Sequence, residues 1–237
     1  MRRVSAVAIR TWLASARLRT RAGRLMRPPR DRLQIVREHA RGRSFADIGC
    51  MWGVDGEVAF EAEAAGATSV SALDVMAPTA GFEAERARRG SSVRYIQADI
   101  HDERAVAELG PHQTVWCSGV IYHAPHPLLT VQRLCSLTTE TLIVASETIP
   151  EVPGLSQACV FFPSLDAAQR RAHASARAAA QVGLTSEFDS DRAYENWYWG
   201  LSASALAAMI KSCGFEIVSR EGSPLHVTLI ARPTARA

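Results

Sequence analysis

Between residues 44 and 146 short apolar runs alternate with stretches whose apolar residues recur every three to four positions. SFADI (44–48), SVSAL (69–73), VRYIQ (93–97), TVWC (114–117) and TLIVA (141–145) read as strands. The spacing between them predicts helices from Asp55 onward, over 77–89, over 103–109 and over 127–137. A strand that returns parallel to its predecessor needs a crossover, and a helix is the usual one. The alternation therefore predicts an α/β fold with a doubly wound, mostly parallel sheet and helices on both faces.

Residues 148–200 break this rhythm. Pro150, Pro153, Gly154 and Pro163 interrupt it, an alanine-rich helical stretch covers 166–180, and the aromatic run YENWYWG follows. This segment reads as an insertion over the carboxyl rim of the sheet. After it, SASALAAMIKSCGFEIVSREG reads as helix, glycine cap at Gly214 and strand, and LHVTLIARP as a last strand, which brings the sheet to seven. Upstream, Val7, Ile9, Trp12, Leu13 and Leu18 recur at approximately helical spacing among arginines, which predicts an amphipathic helix ending at Pro28 and Pro29. Two regions result: a basic amino-terminal segment, 1–43, and a domain over 44–237 that contains the insertion.

Charge sharpens that division. Residues 1–43 hold 13 arginines against Asp31 and Glu38, net +11, whereas the remaining 194 residues carry 14 basic against 22 acidic groups, net −8. All basic residues except Lys211 are arginine, a bias that a GC-rich genome also produces. The sequence favours a helix that docks its apolar face and keeps its arginines in water over a nucleic-acid platform or a membrane-surface contact. With 47% hydrophobic and 22% charged residues the 237-residue chain is globular in composition. No apolar run approaches the ~20 residues that span a bilayer. Cys50, Cys117, Cys135, Cys159 and Cys213 are odd in number and form no C-x-x-C pair, so the expected setting is a reducing cytoplasm without a disulfide framework or zinc ribbon.

The densest chemistry lies in ADIGCMWGVDGEVAF. A strand ends in Asp47, and a turn with Gly49 and Gly53 enters a helix. Glycines there permit tight turning and close approach of backbone to a ligand. The dinucleotide pattern G-x-G-x-x-G is not met, because position 51 is Met, and Asp55 and Glu57 at the helix start would repel a pyrophosphate. A ligand without phosphate fits better, which disfavours a nicotinamide oxidoreductase. The second strand ends at Asp74, placed to accept two ribose hydroxyls, and the third at Asp99, placed to accept from the exocyclic amine of a base. Three strand ends deliver three carboxylates to one rim.

DIGCMWG, ALD, QADI and VWCSG resemble the successive motifs of class I S-adenosylmethionine (SAM) methyltransferases over residues 44–147. GVIYHAPHPLLTVQRL with the terminal GFEIV resembles, more narrowly, the group of tRNA wobble-uridine carboxymethyltransferases and related bacterial small-molecule methyltransferases. The resemblance implies a Rossmann-like methyltransferase fold, with SAM as cofactor and S-adenosylhomocysteine as product. It places Asp47, Gly49, Cys50 and Gly53 at the methionine part, Asp74 at the ribose, and Asp99 with Ile100 at the adenine. Cys117 and Ser118 then lie beside the sulfonium. Met51 stands where the family has its middle glycine.

On the acceptor side, Tyr122 and His123 follow the fourth strand directly, and His123 is the candidate base for an acceptor that carries its proton at neutral pH. Tyr122 is placed to orient the acceptor or contact the methionine carboxylate. Glu147 and the aromatic run, with Asn196, Trp197, Tyr198 and Trp199, are candidate acceptor-pocket residues. His123, His126 and Glu147 do not read as a metal site, because Pro125 and Pro127 keep the loop from being helical. The leading expectation is methyl transfer to O or N of a small organic molecule in bacterial specialised metabolism. Alternatives are a tRNA-modifying transferase using SAM or carboxy-SAM, and a catalytically silent SAM-binding protein.

Overall fold

The computed structural model of the chain describes residues 28–175 and 183–235. The expected amphipathic helix before Pro28 lies outside the described residues, as does the end of the alanine-rich stretch.

Nine strands and seven α-helices run in the order α1 (Arg32–Ala40), β1 (Ser44–Ile48), α2 (Glu57–Ala64), β2 (Ser69–Asp74), α3 (Ala80–Arg89), β3 (Arg94–Gln97), α4 (Glu103–Leu109), β4 (His112–Ser118), α5 (Pro127–Leu137), β5 (Thr138–Glu147), β6 (Cys159–Phe161), α6 (Ala167–Ser175), β7 (Trp199–Leu201), α7 (Ala203–Ser212), β8 (Phe215–Ser223) and β9 (His226–Pro233). Seven strands form one sheet in the order β3-β2-β1-β4-β5-β9-β8. The first five pair in parallel, whereas β9 pairs antiparallel with both β5 and β8. The expected doubly wound, mostly parallel seven-stranded sheet is thus present.

The central strands are buried on both faces, which is why they read as continuous apolar runs. Ala46, Ile48, Val115, Cys117, Leu142 and Val144 point into the core beneath α5 and α7. Phe45, Trp116 and Ile143, one register position away, point into the core beneath α1, α2 and α3. The period of two along each strand divides one sheet between two hydrophobic layers. The described part of the basic segment joins the second layer through Ile35, Val36 and Ala40 of α1. Just before α1, Arg30 grips the buried carboxylate of Glu221 on edge strand β8, its Nε 3.0 Å and 2.9 Å from the two oxygens.

The helix expected from Asp55 begins two residues later. Asp55 has φ +46° and Gly56 φ +75°, so neither can belong to a right-handed helix, and Gly56 is its left-handed cap. A Cβ on Gly56 would meet the Phe82 ring at 2.5 Å, so only glycine lets the cap pack against α3. Asp55 turns outward to accept from the Thr79 hydroxyl at 2.7 Å, and Glu57 pairs with Arg32. Asp55 and Glu57 are thus bonded to the cap of α3 and to α1, and neither lines the cavity at the strand ends.

The insertion carries its own small sheet, β6 antiparallel to β7, and its own core of Tyr122, Phe162, Leu184 and Trp197. It is stapled to the loop after β4: the amides of Tyr198 and Trp199 both donate to the Tyr122 carbonyl, at 2.9 Å and 3.2 Å. Among the described residues, no helix is long and apolar enough to cross a membrane.

Candidate active site

At the carboxyl ends of β1, β2, β3 and β4 lies a cavity of about 280 Å³. Asp47, Ile48 and Gly49 reach it from β1 and its turn, Asp74 and Val75 from β2, Asp99 and Ile100 from the loop after β3, and Ser118, Tyr122 and His123 from β4 and the loop beyond. Trp52 stands at the mouth with 47% of its surface exposed. Among the described residues Arg32 is the one arginine or lysine on the wall, and it is paired with Glu57.

The turn after β1 is shaped by contact with β4. Gly49 has φ +83°, and a Cβ there would stand 2.2 Å from Val120 Cγ2 and 3.2 Å from the Ser118 carbonyl oxygen. Gly53 has φ +65° but open space around it, so conformation alone requires it. Met51, at the position of the family's middle glycine, is fully buried and packs in the layer with Phe45 and Trp116, so its side chain leaves the ligand side of the turn.

Each of the three carboxylates is held by backbone amides. Asp47 Oδ2 accepts from the Ala59 amide at 3.1 Å. Burial raises its carboxyl to about 7, with the nearby Asp74 acting in the same direction. Asp74 accepts from the Met51 amide on Oδ2 (2.9 Å) and from the Met76 amide on Oδ1 (3.0 Å). A carboxylate oxygen has two acceptor sites, so each keeps capacity for a ligand hydroxyl. Asp99 Oδ1 accepts from the His101 amide (2.8 Å) and from the Tyr194 hydroxyl (2.7 Å).

His123 is the best-defined group on the acceptor side. Its Nδ1 lies 2.8 Å from the carbonyl oxygen of Asn196. A carbonyl can only accept, so Nδ1 carries the hydrogen and Nε2 bears the lone pair. Burial pushes the imidazole down to about 4, not the 6.5 of a free histidine, so the ring is neutral at physiological pH. The Tyr122 ring packs against both His123 and Trp197, with centroids 4.3 Å and 4.5 Å away, and these two rings also meet edge-on at 6.2 Å.

The other expected site residues stand off the cavity wall. Cys50 and Cys117 are buried, and burial raises both thiols far above their ordinary range. Gly53 lies on the turn without lining the cavity, and Glu147 sits at the end of β5 opposite His226. The aromatic run is mostly structural in placement. Trp197 is fully buried, Trp199 donates its indole N–H to the Pro125 carbonyl at 3.1 Å, and Tyr198 packs edge-on against Phe188. Asn196 uses its side chain to clamp its own turn, giving two hydrogen bonds to the carbonyls of Asp189 and Ala193 and taking one from the Asp189 amide.

Tyr194 lines the cavity, although it was singled out in the sequence only as one of a group of aromatics. Its reach to Asp99, 95 residues earlier, leaves no local signal. Among the described residues no group of three or more His, Cys, Asp or Glu could hold a metal ion.

No protein-family model and no curated protein matches the sequence. Solved structures do resemble this one. The 1,6-didemethyltoxoflavin-N1-methyltransferase of Burkholderia thailandensis, solved with its acceptor and S-adenosylhomocysteine, is 15% identical, with 99% of this chain and 92% of that one covered at a TM-score of 0.56. The magnesium protoporphyrin IX methyltransferase of Synechocystis PCC 6803, with bound S-adenosylhomocysteine, is 14% identical, covering 97% and 83% at 0.52. The [4+2]-cyclase SpnF is 14% identical, covering 96% and 93% at 0.57. At these identities the likeness is one of fold: the chain has the Rossmann-like methyltransferase fold.

Proposed function

We propose that the protein is a SAM-dependent methyltransferase acting on an oxygen or nitrogen of a small organic molecule. The observation that carries this reading is the acidity of the cavity wall: among the described residues, three carboxyl groups at successive strand ends, Asp47 with its pKa raised to about 7, against one arginine already paired with Glu57. That wall suits a ligand bearing an ammonium and a sulfonium and opposes a pyrophosphate. The fold by itself leaves the reaction open, since a cyclase shares it. The argument therefore rests on the site.

In this reading Asp47 and Gly49 hold the methionine part, Asp74 the ribose hydroxyls, and Asp99 with Ile100 the adenine. When bound, SAM supplies an electrophilic methyl group. The chain aligns the acceptor with it through the loop Ser118–His123, and alignment contributes much of the acceleration of an in-line displacement. His123 takes the acceptor proton at Nε2, while the Asn196 carbonyl stabilises Nδ1–H as the ring becomes charged. The Tyr122 ring fixes the imidazole plane.

A small acceptor is favoured over tRNA because the insertion packs on the loop after β4, its Tyr198 and Trp199 amides bonded to the Tyr122 carbonyl, and leaves Tyr122 buried beside the cavity. SAM fits this wall better than carboxy-SAM, because among the described residues Arg32, already paired with Glu57, is the one lysine or arginine that lines it. The Burkholderia neighbour's acceptor, a small heterocycle, supports this substrate class, and specialised metabolism is the setting it suggests. The five cysteines, all free, suit a reducing cytoplasm.

Calorimetric titration with SAM and S-adenosylhomocysteine tests the reading first, and a screen of small O- and N-acceptors with methyl-labelled SAM tests it next. Binding of both ligands is expected, with label transferred to at least one small acceptor. Folded protein that binds neither ligand ends the proposal, and transfer confined to tRNA replaces the acceptor class.

A further inference from the structure

The turn that brings Tyr194 to the cavity is held in an unfavourable backbone state. Ala193 has φ +36° and ψ −114°, a conformation an L-residue adopts only when its surroundings impose it. The Asn196 side chain clamps that turn to the carbonyls of Asp189 and Ala193, at 2.7 Å and 3.0 Å. The outcome is a tyrosine hydroxyl delivered from the insertion onto the Asp99 carboxylate on the cavity wall.

The hydrogen bonds around that hydroxyl form one directed chain. Thr130 Oγ1 lies 2.7 Å from His101 Nε2, His101 Nδ1 lies 3.2 Å from the Tyr194 hydroxyl oxygen, and the Tyr194 hydroxyl donates to Asp99 Oδ1 at 2.7 Å. A phenol that donates to a carboxylate has only its lone pairs left for His101, so Nδ1 carries the hydrogen and Nε2 accepts from Thr130. The His101 Nδ1–H and the Tyr194 hydroxyl both point toward Asp99, while the Thr130 hydroxyl beside Nε2 also has the His126 carbonyl at 3.3 Å. The His101 amide donates to the same Oδ1 at 2.8 Å, so that oxygen receives two donors, whereas among the described residues no donor is bonded to Oδ2.

We propose that Tyr194 is a positioning residue for adenine recognition: by occupying Oδ1 it fixes the Asp99 carboxylate in one rotamer and presents Oδ2 to the exocyclic amine of the cofactor. This rests on the reading of the cavity as a SAM site with Asp99 at the adenine. The consequence is specificity for a 6-amino purine. A carboxylate held with a bare oxygen toward the ligand accepts from an amine and repels a 6-oxo group. A carboxylate free to rotate could turn away or recruit the His101 ring, whose Nδ1 is 3.7 Å from Oδ1. Sites that hold a polar group in one orientation toward its partner discriminate in this manner.

The test uses S-adenosylhomocysteine and its 6-oxo counterpart, S-inosylhomocysteine, titrated calorimetrically into the wild type and Tyr194→Phe. The substitution removes one oxygen and keeps the ring, and melting curves verify the fold. Wild type should prefer the amino ligand at least about tenfold, the value of one charge-assisted hydrogen bond. Tyr194→Phe should weaken the amino ligand by roughly five- to tenfold and leave the 6-oxo ligand within about twofold, so the preference collapses. In an Asp99→Ala background Tyr194→Phe should change neither affinity, because its effect passes through that carboxylate. Equal weakening of both ligands, or the same loss without Asp99, would mean that Tyr194 only walls the cavity and would overturn the proposal while the cofactor reading stood. Failure of the wild type to bind either ligand would instead remove the cofactor reading, and this proposal with it.

Discussion

The Nδ1–H of His123 donates to the main-chain carbonyl of Asn196, 73 residues later, at 2.8 Å. This bond joins the loop after β4 to the insertion and decides which ring nitrogen can take a proton. Asn196 thus acts through its backbone on the candidate base, whereas its side chain serves the turn that carries Tyr194.

For an acceptor that enters protonated, His123→Ala should lower turnover by roughly 10² to 10⁴ and leave S-adenosylhomocysteine affinity within about threefold. The base works when neutral, and burial holds its pKa down to about 4, so wild-type turnover should fall only as pH drops toward 4. Turnover measured against pH for both proteins decides the matter. Full activity in the variant, with an unchanged profile, would show that no base is needed.

Asp47 titrates in the opposite sense. Its folded pKa of about 7 lies above the ~3.9 of an unfolded aspartate, so the folded state binds the extra proton between those values. Its contribution to stability is present below pH ~4 and is lost as pH rises through about 7. Beyond burial, the groups that bear on it are the Ala59 amide and Arg32, which lower it, and Asp74, which raises it. Melting temperatures at pH 5 and pH 8 should show wild type losing ground to Asp47→Asn at the higher pH. The two proteins shifting in parallel would refute the assignment.

Asp74 has two tasks, and the Asp74→Ala variant should report both. Its removal orphans the Met51 and Met76 amides, each worth about 1 to 3 kcal/mol when left buried without a partner. The melting temperature should drop, and S-adenosylhomocysteine affinity should weaken at least about tenfold. Unchanged affinity in a variant still folded at the titration temperature would take Asp74 out of the ribose site.

The two glycines of the first turn should answer differently to alanine. Gly49→Ala drives a Cβ into Val120 Cγ2 and displaces the loop that precedes His123, so stability and ligand binding should both fall. Gly53→Ala meets open space and should cost only the roughly 1 to 2 kcal/mol of a left-handed alanine. Equal melting temperatures for the two variants would contradict the close approach at Gly49.

Over residues 44–147 and 203–233 the sequence by itself determined the order of strands and helices, and with it the large sheet, because central strands buried on both faces must be apolar throughout and helices between parallel strands must carry one apolar stripe; α1, β6 and β7 were not read from it. It also placed Asp47, Asp74 and Asp99, since a residue at the end of a parallel strand lies on the rim whatever its neighbours do. Helix boundaries were less legible at Asp55, where a left-handed turn held by Phe82 postpones the helix, a contact formed 26 residues away in sequence. The tertiary structure alone decided which aromatics of the insertion reach the cavity. Period and composition make Tyr194, Trp197, Tyr198 and Trp199 equivalent, yet the strained turn at Ala193 sends Tyr194 to Asp99 while Trp197 fills the insertion's core. It likewise decided the state of His123, because burial and the Asn196 carbonyl, both supplied by distant chain, set its pKa and its tautomer. Local pattern encodes which face is buried; only packing encodes which distant group a buried side chain will meet.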